Sequence, residues 1–317
     1  MVLKLAQIKK VGVVGAGLMG HGIAQVYAQE GYPVTITDSS ASALAGVQNR
    51  IKANLDTLAR EGLFQGSNVS QILERITVTD SLEETVRDSD FVTEAIIENL
   101  EMKRELFYQM EKFCSEESIL ASNTSSFPMT QISSKMERPE RAIVTHWMNP
   151  PYLVPLVEVV PGEKTSEETY NTAYELLCKM KKVPVKVQKE IIGFIINRIQ
   201  TAMNREVYHL VETGVASAED IDRAVVTALG FRLATLGPLM IRDLAGLDVT
   251  CKVDETLVGE IDSSQSVSKL LKDLVSKGEL GAKTGKGFFE YTAESLAAVI
   301  QQRDRQFIRL LKEQYLK

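Results

Sequence analysis

The stretch "KKVGVVGAGLMGHGIAQVYAQEGYPVTITD", residues 9–38, decides the fold. Residues 9–15 form an apolar run typical of a buried strand, residues 18–30 have the periodicity of a helix, and residues 32–38 form a second strand-like run. A strand, a helix and a second strand in this order predict one βαβ unit with parallel strands.

The loop after the first strand has glycines in the spacing GxGxxG. The loop residues proposed to bind a cofactor are Gly15, Gly17, Leu18, Met19 and Gly20. Glycine in this spacing allows a tight turn, backbone contact with a pyrophosphate and close packing of helix on strand, while the helix N-terminus attracts negative charge. The motif therefore predicts a dinucleotide site.

Asp38 ends the second strand of this unit. A carboxylate there can accept hydrogen bonds from the ribose hydroxyls of adenosine, and it repels a 2'-phosphate. No arginine occurs in the following "DSSASALAG" (38–46) to bind such a phosphate. The predicted cofactor is therefore NAD.

Further strand-like runs continue the pattern, and helical segments lie between most of them. The runs are "RITVTD", "DFVTEAII", "SILASNTS", "RAIVTH", "PLVEVV" and, last, "VPVKVQ" (183–188). They predict an α/β fold with a Rossmann-type, doubly wound and mostly parallel sheet. From about residue 189 almost no strand signal remains, which predicts an NAD-binding domain at residues 1–189 and an all-α domain at 190–317.

Composition excludes several classes of protein. The chain has 317 residues, 44% of them apolar, and a net charge of −6 without a Lys/Arg cluster, which argues against nucleic acid as a partner. Cys114, Cys178 and Cys251 fit neither a disulfide framework nor a zinc site, so we expect no metal and a reducing, cytoplasmic compartment. The sequence has no run of about twenty apolar residues, so we expect no membrane span.

The segment "VTHWMNPPYLVPLVEVV" (144–160) places His146 twelve residues before Glu158, with three prolines between them. Oxidation of a secondary alcohol needs a base for the hydroxyl proton. An imidazole can take that proton while a carboxylate fixes its tautomer. From the spacing alone, however, a single histidine beside a tryptophan is more often a structural residue, and Glu158 could lie on a solvated sheet edge.

Six motifs resemble, in order, those of the L-3-hydroxyacyl-CoA dehydrogenase family. They are "SNTSS" (122–126), "HWMNP" (146–150), "LVEVV" (156–160), "GFIINR" (193–198), "LGPLMIRDLAGLD" (236–248) and "KTGKGFFEY" (283–291). The resemblance extends over residues 9–291. It implies NAD-dependent oxidation of (S)-3-hydroxyacyl-CoA, such as 3-hydroxybutyryl-CoA, to 3-ketoacyl-CoA and the reverse, as in fatty acid β-oxidation.

The resemblance also implies roles for individual residues. His146 is then the general base and acid, Glu158 orients it, and Ser125 and Asn197 hydrogen-bond the substrate or the histidine. The family's remaining cofactor contacts fall on Glu98, Lys103 and Lys283. The helical domain would bind substrate and form a homodimer.

Other segments resemble a related branch that includes L-gulonate 3-dehydrogenase, lambda-crystallin and carnitine dehydrogenase. They are "NPPY" (149–152) and "FRLATLGPL" (231–239). Counted without gaps, the positions that contact coenzyme A in mammalian relatives fall on Asn54 and Glu61. Glu61 would repel a phosphate, although Arg60 or Lys52 could supply basic contacts instead.

Three functions therefore stay open from the sequence. An NAD-dependent (S)-3-hydroxyacyl-CoA dehydrogenase is favoured by "EAIIEN" (94–99) and by the "KTGKGFFEY" ending. The alternatives are the same chemistry on a free 3-hydroxy acid, such as L-gulonate or carnitine, and a crystallin-like structural protein that retains nucleotide binding.

The segment after Tyr291 extends beyond the resemblance. "ESLAAVIQQRDRQFIRLLKEQYL" (294–316) predicts a helix that packs on its own domain or on a second subunit. The apolar side chains near one face of this helix are Leu296, Val299, Ile300, Phe307, Leu311 and Tyr315.

Overall fold

A computed structural model describes residues 2–64 and 68–315. Its eight strands form one sheet in the order β3-β2-β1-β4-β5-β6-β7-β8. Neighbouring strands are parallel except β6 and β7, which are antiparallel. The strands are β1 (Val11–Val14), β2 (Val34–Thr37), β3 (Ile76–Thr79), β4 (Phe91–Glu94), β5 (Ile119–Ser122), β6 (Ala142–Trp147), β7 (Leu156–Pro161) and β8 (Val183–Lys186).

In the described part of the chain, eight α-helices accompany these strands. They are α1 (Gly20–Gln29), α2 (Ala41–Ala45), α3 (Val47–Arg60), α4 (Val69–Glu74), α5 (Leu82–Val86), α6 (Leu100–Phe113), α7 (Met129–Ile132) and α8 (Glu167–Lys179). Polar N-caps begin several of them, as where Asn99 accepts from the backbone N–H of Met102 at the start of α6. The predicted doubly wound α/β fold is confirmed.

The rest of the chain is mostly helical, as the sequence predicts. The helices are α9 (Ile196–Glu212), α10 (Ala218–Ala224), α11 (Phe231–Leu233), α12 (Pro238–Ala245), α13 (Leu247–Leu257), α14 (Lys269–Ser276) and α15 (Ala293–Gln314). A π-helical stretch, Val225–Gly230, joins α10 to α11.

Both faces of the sheet are covered. Val13 points into an apolar cluster with α1, α3 and α8, whereas the next residue, Val14, points into a cluster on the other face with Phe107 and Met110 of α6. Strands β1, β2, β4 and β5 are buried along their whole length. Continuous apolar runs in the sequence reflect this burial on two faces.

Internal contacts divide the chain into two compact units, residues 1–197 with 301–317, and residues 198–300. The domain boundary at residues 189 and 190 stays a prediction. The sequence groups the end of the chain with the helical domain, whereas its contacts group residues 301–317 with the sheet.

Residues 198–300 expose many apolar side chains. Of the apolar side chains in this described stretch, Ile221 is the only buried one, whereas Leu239 is 82% and Phe231 is 77% exposed. Among the described residues no single helix is long and apolar enough to cross a membrane, but the bent pair Ala218–Leu233 and Pro238–Ala245 passes by length and composition.

Candidate active site

His146 and Glu158 face each other on adjacent antiparallel strands. The register of β6 and β7 pairs these two residues directly, and His146 Nδ1 lies 2.7 Å from Glu158 Oε2. Both side chains are buried. The proline-rich turn between the strands therefore reverses the chain and places the carboxylate beside the imidazole.

The second oxygen of Glu158 is held by the start of α9. Glu158 Oε1 accepts hydrogen bonds from the backbone N–H groups of Ile195 and Ile196, at 2.9 and 3.0 Å. Gly193 (φ 78°) and Phe194 (φ 47°) adopt left-handed backbone conformations just before this point, and the chain turns there. Backbone donors thus fix the carboxylate independently of the imidazole.

The pKa of Glu158 lies below its ordinary value. Burial alone would raise it, but the hydrogen bonds from His146, Ile196 and Ile195 outweigh burial and stabilise the ionised carboxylate. A carboxylate can only accept, so Nδ1 of His146 carries the hydrogen, and the lone pair of the neutral ring is on Nε2. The Phe194 ring packs against this imidazole, with centroids 5.6 Å apart.

The loop after β5 is hydrogen-bonded to α9 and to the end of β6. The side-chain amide of Asn197 donates to the backbone carbonyl of Ser125 at 3.0 Å, and Asn123 Oδ1 accepts from the backbone N–H of Trp147 at 2.9 Å. These bonds link the loop to α9 and to the end of β6. The structure therefore connects the four residues to which the resemblance gives catalytic roles.

Glu98 holds the Ser125 loop in shape. Its Oε1 accepts from the hydroxyls of Thr124 and Ser126, at 2.6 and 2.7 Å, and from the backbone N–H groups of Ser125 and Ser126, both at 3.0 Å. Burial would raise the pKa of Glu98, but these bonds and the nearby Lys103 lower it. The carboxylate is therefore ionised at neutral pH.

Lys103 is buried rather than exposed at the surface. Its Nζ lies 2.6 Å from Glu94 Oε1 and 3.4 Å from Glu98 Oε2. Glu94, at the end of β4, is also fully buried and accepts from the hydroxyl of Ser122 at 2.6 Å. Glu94 is not among the site residues predicted from the sequence, although a glutamate inside the apolar run "FVTEAII" is an available signal.

The glycine-rich loop has the shape that a dinucleotide requires. Gly15 has φ 106°, and a Cβ there would lie 2.5 Å from the carbonyl oxygen of Ala95. A Cβ on Gly20 would lie 1.7 Å from the carbonyl oxygen of Gly15, whereas a Cβ on Gly17 would meet no atom within 4 Å. Leu18 is exposed, and Met19 packs against the core. The open space at Gly17 fits the approach of a pyrophosphate.

Asp38 and Arg50 hold the peptide groups of Ala16. Asp38 Oδ2 accepts from the Ala16 N–H at 2.6 Å, and Asp38 Oδ1 accepts from the Ser40 N–H at 2.8 Å. The Arg50 guanidinium, which the sequence did not single out, donates to the Ala16 carbonyl at 2.9 Å. Asp38 stands at the carboxyl end of β2, next to the glycine-rich loop, as an NAD site requires.

Three further residues singled out from the sequence belong to other elements. Lys283 is exposed in a 3-10 helix, Ala282–Thr284, within residues 198–300, and its contact with a cofactor stays a prediction. Asn54 donates to Gln25 Oε1 at 3.0 Å. Glu61 pairs with Arg305, with Glu61 Oε1 3.4 Å from Arg305 Nε.

Family profiles match almost the whole chain. The NAD binding domain of 3-hydroxyacyl-CoA dehydrogenase matches residues 10–191, and the C-terminal domain of the same family matches residues 193–291. The chain belongs to the 3-hydroxyacyl-CoA dehydrogenase family. It is therefore an NAD-dependent oxidoreductase, and the cofactor predicted from the glycine-rich loop is confirmed.

Relatives within this family differ in their substrates. A probable 3-hydroxybutyryl-CoA dehydrogenase of Bacillus subtilis is 38% identical over 90% of this chain and 98% of its own. A 5-formyl-3-hydroxy-2-methylpyridine 4-carboxylate 5-dehydrogenase of Mesorhizobium japonicum is 31% identical over 95% and 96%. A crystal structure of an enzyme described by that second activity, an NAD+-dependent dismutase, superposes with a TM-score of 0.89 at 30% identity, over 96% of this chain and 97% of its own.

Proposed function

We propose that this dehydrogenase oxidises the 3-hydroxyl of (S)-3-hydroxyacyl-CoA thioesters to the ketone, and catalyses the reverse reduction. The observation that carries the proposal is the buried pair of His146 and Glu158, in which Nδ1 of the imidazole is bound and Nε2 is left with its lone pair. The names of relatives such as the Bacillus enzyme support the thioester.

His146 acts as general base in the oxidation. The chemistry that NAD supplies when bound is acceptance of the hydride from the hydroxyl-bearing carbon. Nε2 takes the hydroxyl proton, and the imidazolium that forms is stabilised by the ionised Glu158, whose other oxygen is held by the Ile195 and Ile196 N–H groups. In the reduction the same nitrogen returns the proton.

The loop residues position the reacting groups in this proposal. Asn197 is fixed by its bond to the Ser125 carbonyl, and Glu98 fixes the backbone of Ser125. The Ser125 hydroxyl and the Asn197 side chain then orient the substrate oxygen toward His146. The adenosine diphosphate portion of NAD is bound by Gly15, Gly17, Gly20 and Asp38. Lys103 contributes to cofactor binding while its ammonium group stays in a buried ion pair with Glu94.

A free hydroxy acid is the second candidate substrate. Glu61, one of the two positions that the resemblance gives for coenzyme A, is covered by the end of α15, since Arg305 pairs with it and Lys312 donates to its backbone carbonyl. Arg305 and Lys312 lie beyond the second family profile, which ends at residue 291. The relative that acts on a pyridine carboxylate also favours a substrate without coenzyme A.

The two candidates are tested side by side. NADH oxidation is followed at 340 nm with acetoacetyl-CoA, and NAD reduction is followed with L-gulonate, carnitine and 3-hydroxybutyrate. Turnover of the thioester alone supports the first candidate. Turnover of free acids alone supports the second, and NADH binding without turnover of any of them supports a crystallin-like structural protein.

The role of His146 is tested by His146→Gln. We expect kcat to fall about 10²- to 10⁴-fold, because the base is lost, with little change in NADH affinity. His209→Gln, in the last turn of α9, is the matched control and is expected to keep its activity. Near-normal turnover of His146→Gln would contradict the proposed role.

We also propose that the protein is a homodimer assembled through residues 198–300. The support is the exposure of the apolar side chains of α11 and α12, because exposed apolar patches of this extent are typical of subunit interfaces. A mass of 35.1 kDa by light scattering at micromolar concentration would show a monomer and contradict it.

A cytoplasmic location stays a prediction from the three unpaired cysteines, to be tested by cell fractionation.

A further inference from the structure

Glu94, Lys103 and Glu98 form one connected cluster of charges. Glu94 and Lys103 are 0% and 1% exposed, and Lys103 Nζ lies between the two carboxylates, 2.6 Å from Glu94 and 3.4 Å from Glu98. Two carboxylates and one ammonium leave one excess negative charge. Buried charges usually occur in pairs that cancel, as Glu94 and Lys103 do, so the excess charge resides on Glu98, whose side chain is 35% exposed.

Hydrogen-bond donors converge on both carboxylates of the cluster. Glu94 accepts from the Ser122 hydroxyl at 2.6 Å and from the Ile96 N–H at 2.7 Å. Glu98 accepts from four donors in residues 124–126, and its pKa is lowered despite its burial. Glu98, which carries the excess charge, is therefore ionised at neutral pH.

Strand order places this cluster on one particular side of the cofactor site. A dinucleotide binds outside the carboxyl ends of the strands, across the point where the strand order reverses, which here lies between β1 and β4. Asp38, at the end of β2, marks the adenosine side. The nicotinamide side is then that of β4, β5 and β6, whose ends carry Glu94, Ser122 and His146.

We propose that this cluster holds one excess negative charge beside the nicotinamide and strengthens the binding of the oxidised cofactor relative to the reduced one. The nicotinamide ring is a cation in NAD+ and is neutral in NADH, so a negative charge nearby affects only the oxidised form. At an effective dielectric constant of about 20, a charge about 10 Å away still changes an affinity more than about tenfold before screening. The inference rests on the proposed orientation of NAD in this family site.

The test compares affinities rather than rates. The Kd of NAD+ is measured by calorimetry and the Kd of NADH by its fluorescence, for the wild type, Glu98→Gln and Glu94→Gln. We expect the ratio of the NAD+ Kd to the NADH Kd to rise about tenfold for Glu98→Gln and about fivefold for Glu94→Gln, because each removes the excess charge.

A double substitution provides the control for charge. Glu94→Gln combined with Lys103→Met removes one negative and one positive charge, so the excess charge on Glu98 remains. Its ratio is expected to return to within about twofold of the wild-type value. A purely structural role for Glu94 predicts instead that both single and double variants weaken NAD+ and NADH binding by the same factor, and that result would overturn the inference.

Two outcomes separate this inference from the proposed function. If the wild type binds neither form of the cofactor, the proposed function fails. If the wild type binds both and Glu98→Gln leaves the ratio unchanged, only the charge inference fails. Glu98 is about one-third exposed, so its variant carries the test even if Glu94→Gln does not fold.

Discussion

At the scale of single residues, the site depends on Glu158 being held from two sides. One carboxylate oxygen binds the imidazole of His146, and the other binds the first N–H groups of α9. The helix N-terminus supplies both hydrogen bonds and a favourable dipole for the negative charge. The carboxylate can therefore stabilise an imidazolium without leaving its position.

Glu158→Gln tests this arrangement. If the glutamine NH2 group faces the Ile195 and Ile196 N–H groups, donors oppose a donor. In either orientation the neutral side chain no longer stabilises the imidazolium. We expect kcat to fall about 10²- to 10⁴-fold, with the Kd of NADH changed less than about threefold. Steady-state kinetics and NADH fluorescence measure both, and an unchanged kcat would contradict the role given to Glu158.

Acid should destabilise the protein through Glu98 and Glu158. The folded-state pKa of each is lowered, so the stability that each contributes is present above its unfolded pKa of about 4.3 and is lost as pH falls through the folded value. Thermal midpoints from pH 7 to pH 3 measure this loss. Glu98→Gln should lose less stability over this range than the wild type, and parallel curves would contradict the assignment.

At the scale of elements, the glycine-rich loop shows two different reasons for glycine. At Gly20 a side chain would collide with the backbone of the same loop, whereas at Gly17 it would enter open space. Gly20 is required by the fold. Gly17 is required only by a ligand that approaches the backbone closely.

Paired alanine substitutions separate these reasons. Gly20→Ala should lower the thermal midpoint and abolish NAD binding, because the loop backbone must move. Gly17→Ala should leave the midpoint within about 1 °C and still weaken NAD binding at least about tenfold. Calorimetry and thermal unfolding measure both. Equal loss of stability in the two variants would contradict this division.

The end of α15 packs on the turn that joins β6 and β7. Ile308 is 1% exposed and clusters with Leu58 of α3 and with Leu153, which lies in the turn between β6 and β7. The sequence predicted a helix here but singled out other side chains. Phe307 and Tyr315 are exposed, and Ile308 is the buried residue.

Ile308→Ala should therefore destabilise the sheet unit. Removing a buried isoleucine side chain costs about 2–4 kcal/mol of unfolding free energy. Leu310→Ala, at a position 40% exposed, is the matched control and should cost less than about 1 kcal/mol. Urea unfolding followed by circular dichroism compares the two variants, and equal losses would contradict the packing role of Ile308.

At the scale of the whole molecule, residues 198–300 expose the kind of surface that proteins normally bury. Leu239, Leu244 and Phe231 are each more than 70% exposed. The hydrophobic effect disfavours such exposure, and a second copy of the chain can remove all three side chains from water.

Leu239→Glu should shift the protein toward monomers. A charge placed in the proposed interface must be desolvated on association, so we expect the mass by light scattering to fall from about 70 kDa toward the monomer mass. Phe113→Glu, at the exposed end of α6, is the control and should keep the dimer mass. Unchanged mass in Leu239→Glu would exclude this surface as the interface.

The sequence by itself determined the eight strands, the glycine-rich loop, the cofactor and the family. Each of these depends on local periodicity or on a short motif, and such signals do not depend on residues elsewhere in the chain. The spacing of His146 and Glu158 left their pairing open, and the antiparallel register of β6 and β7 decided it. Tertiary structure alone decided that Glu94 and Lys103 are buried together, that Arg50 binds the Ala16 carbonyl, and that Ile308 packs on Leu153. Arg50 and Ala16, and Ile308 and Leu153, lie far apart in the chain, whereas Glu94 and Lys103 lie on a strand and the helix that follows it. In all three cases burial and charge pairing depend on the folded arrangement of both partners.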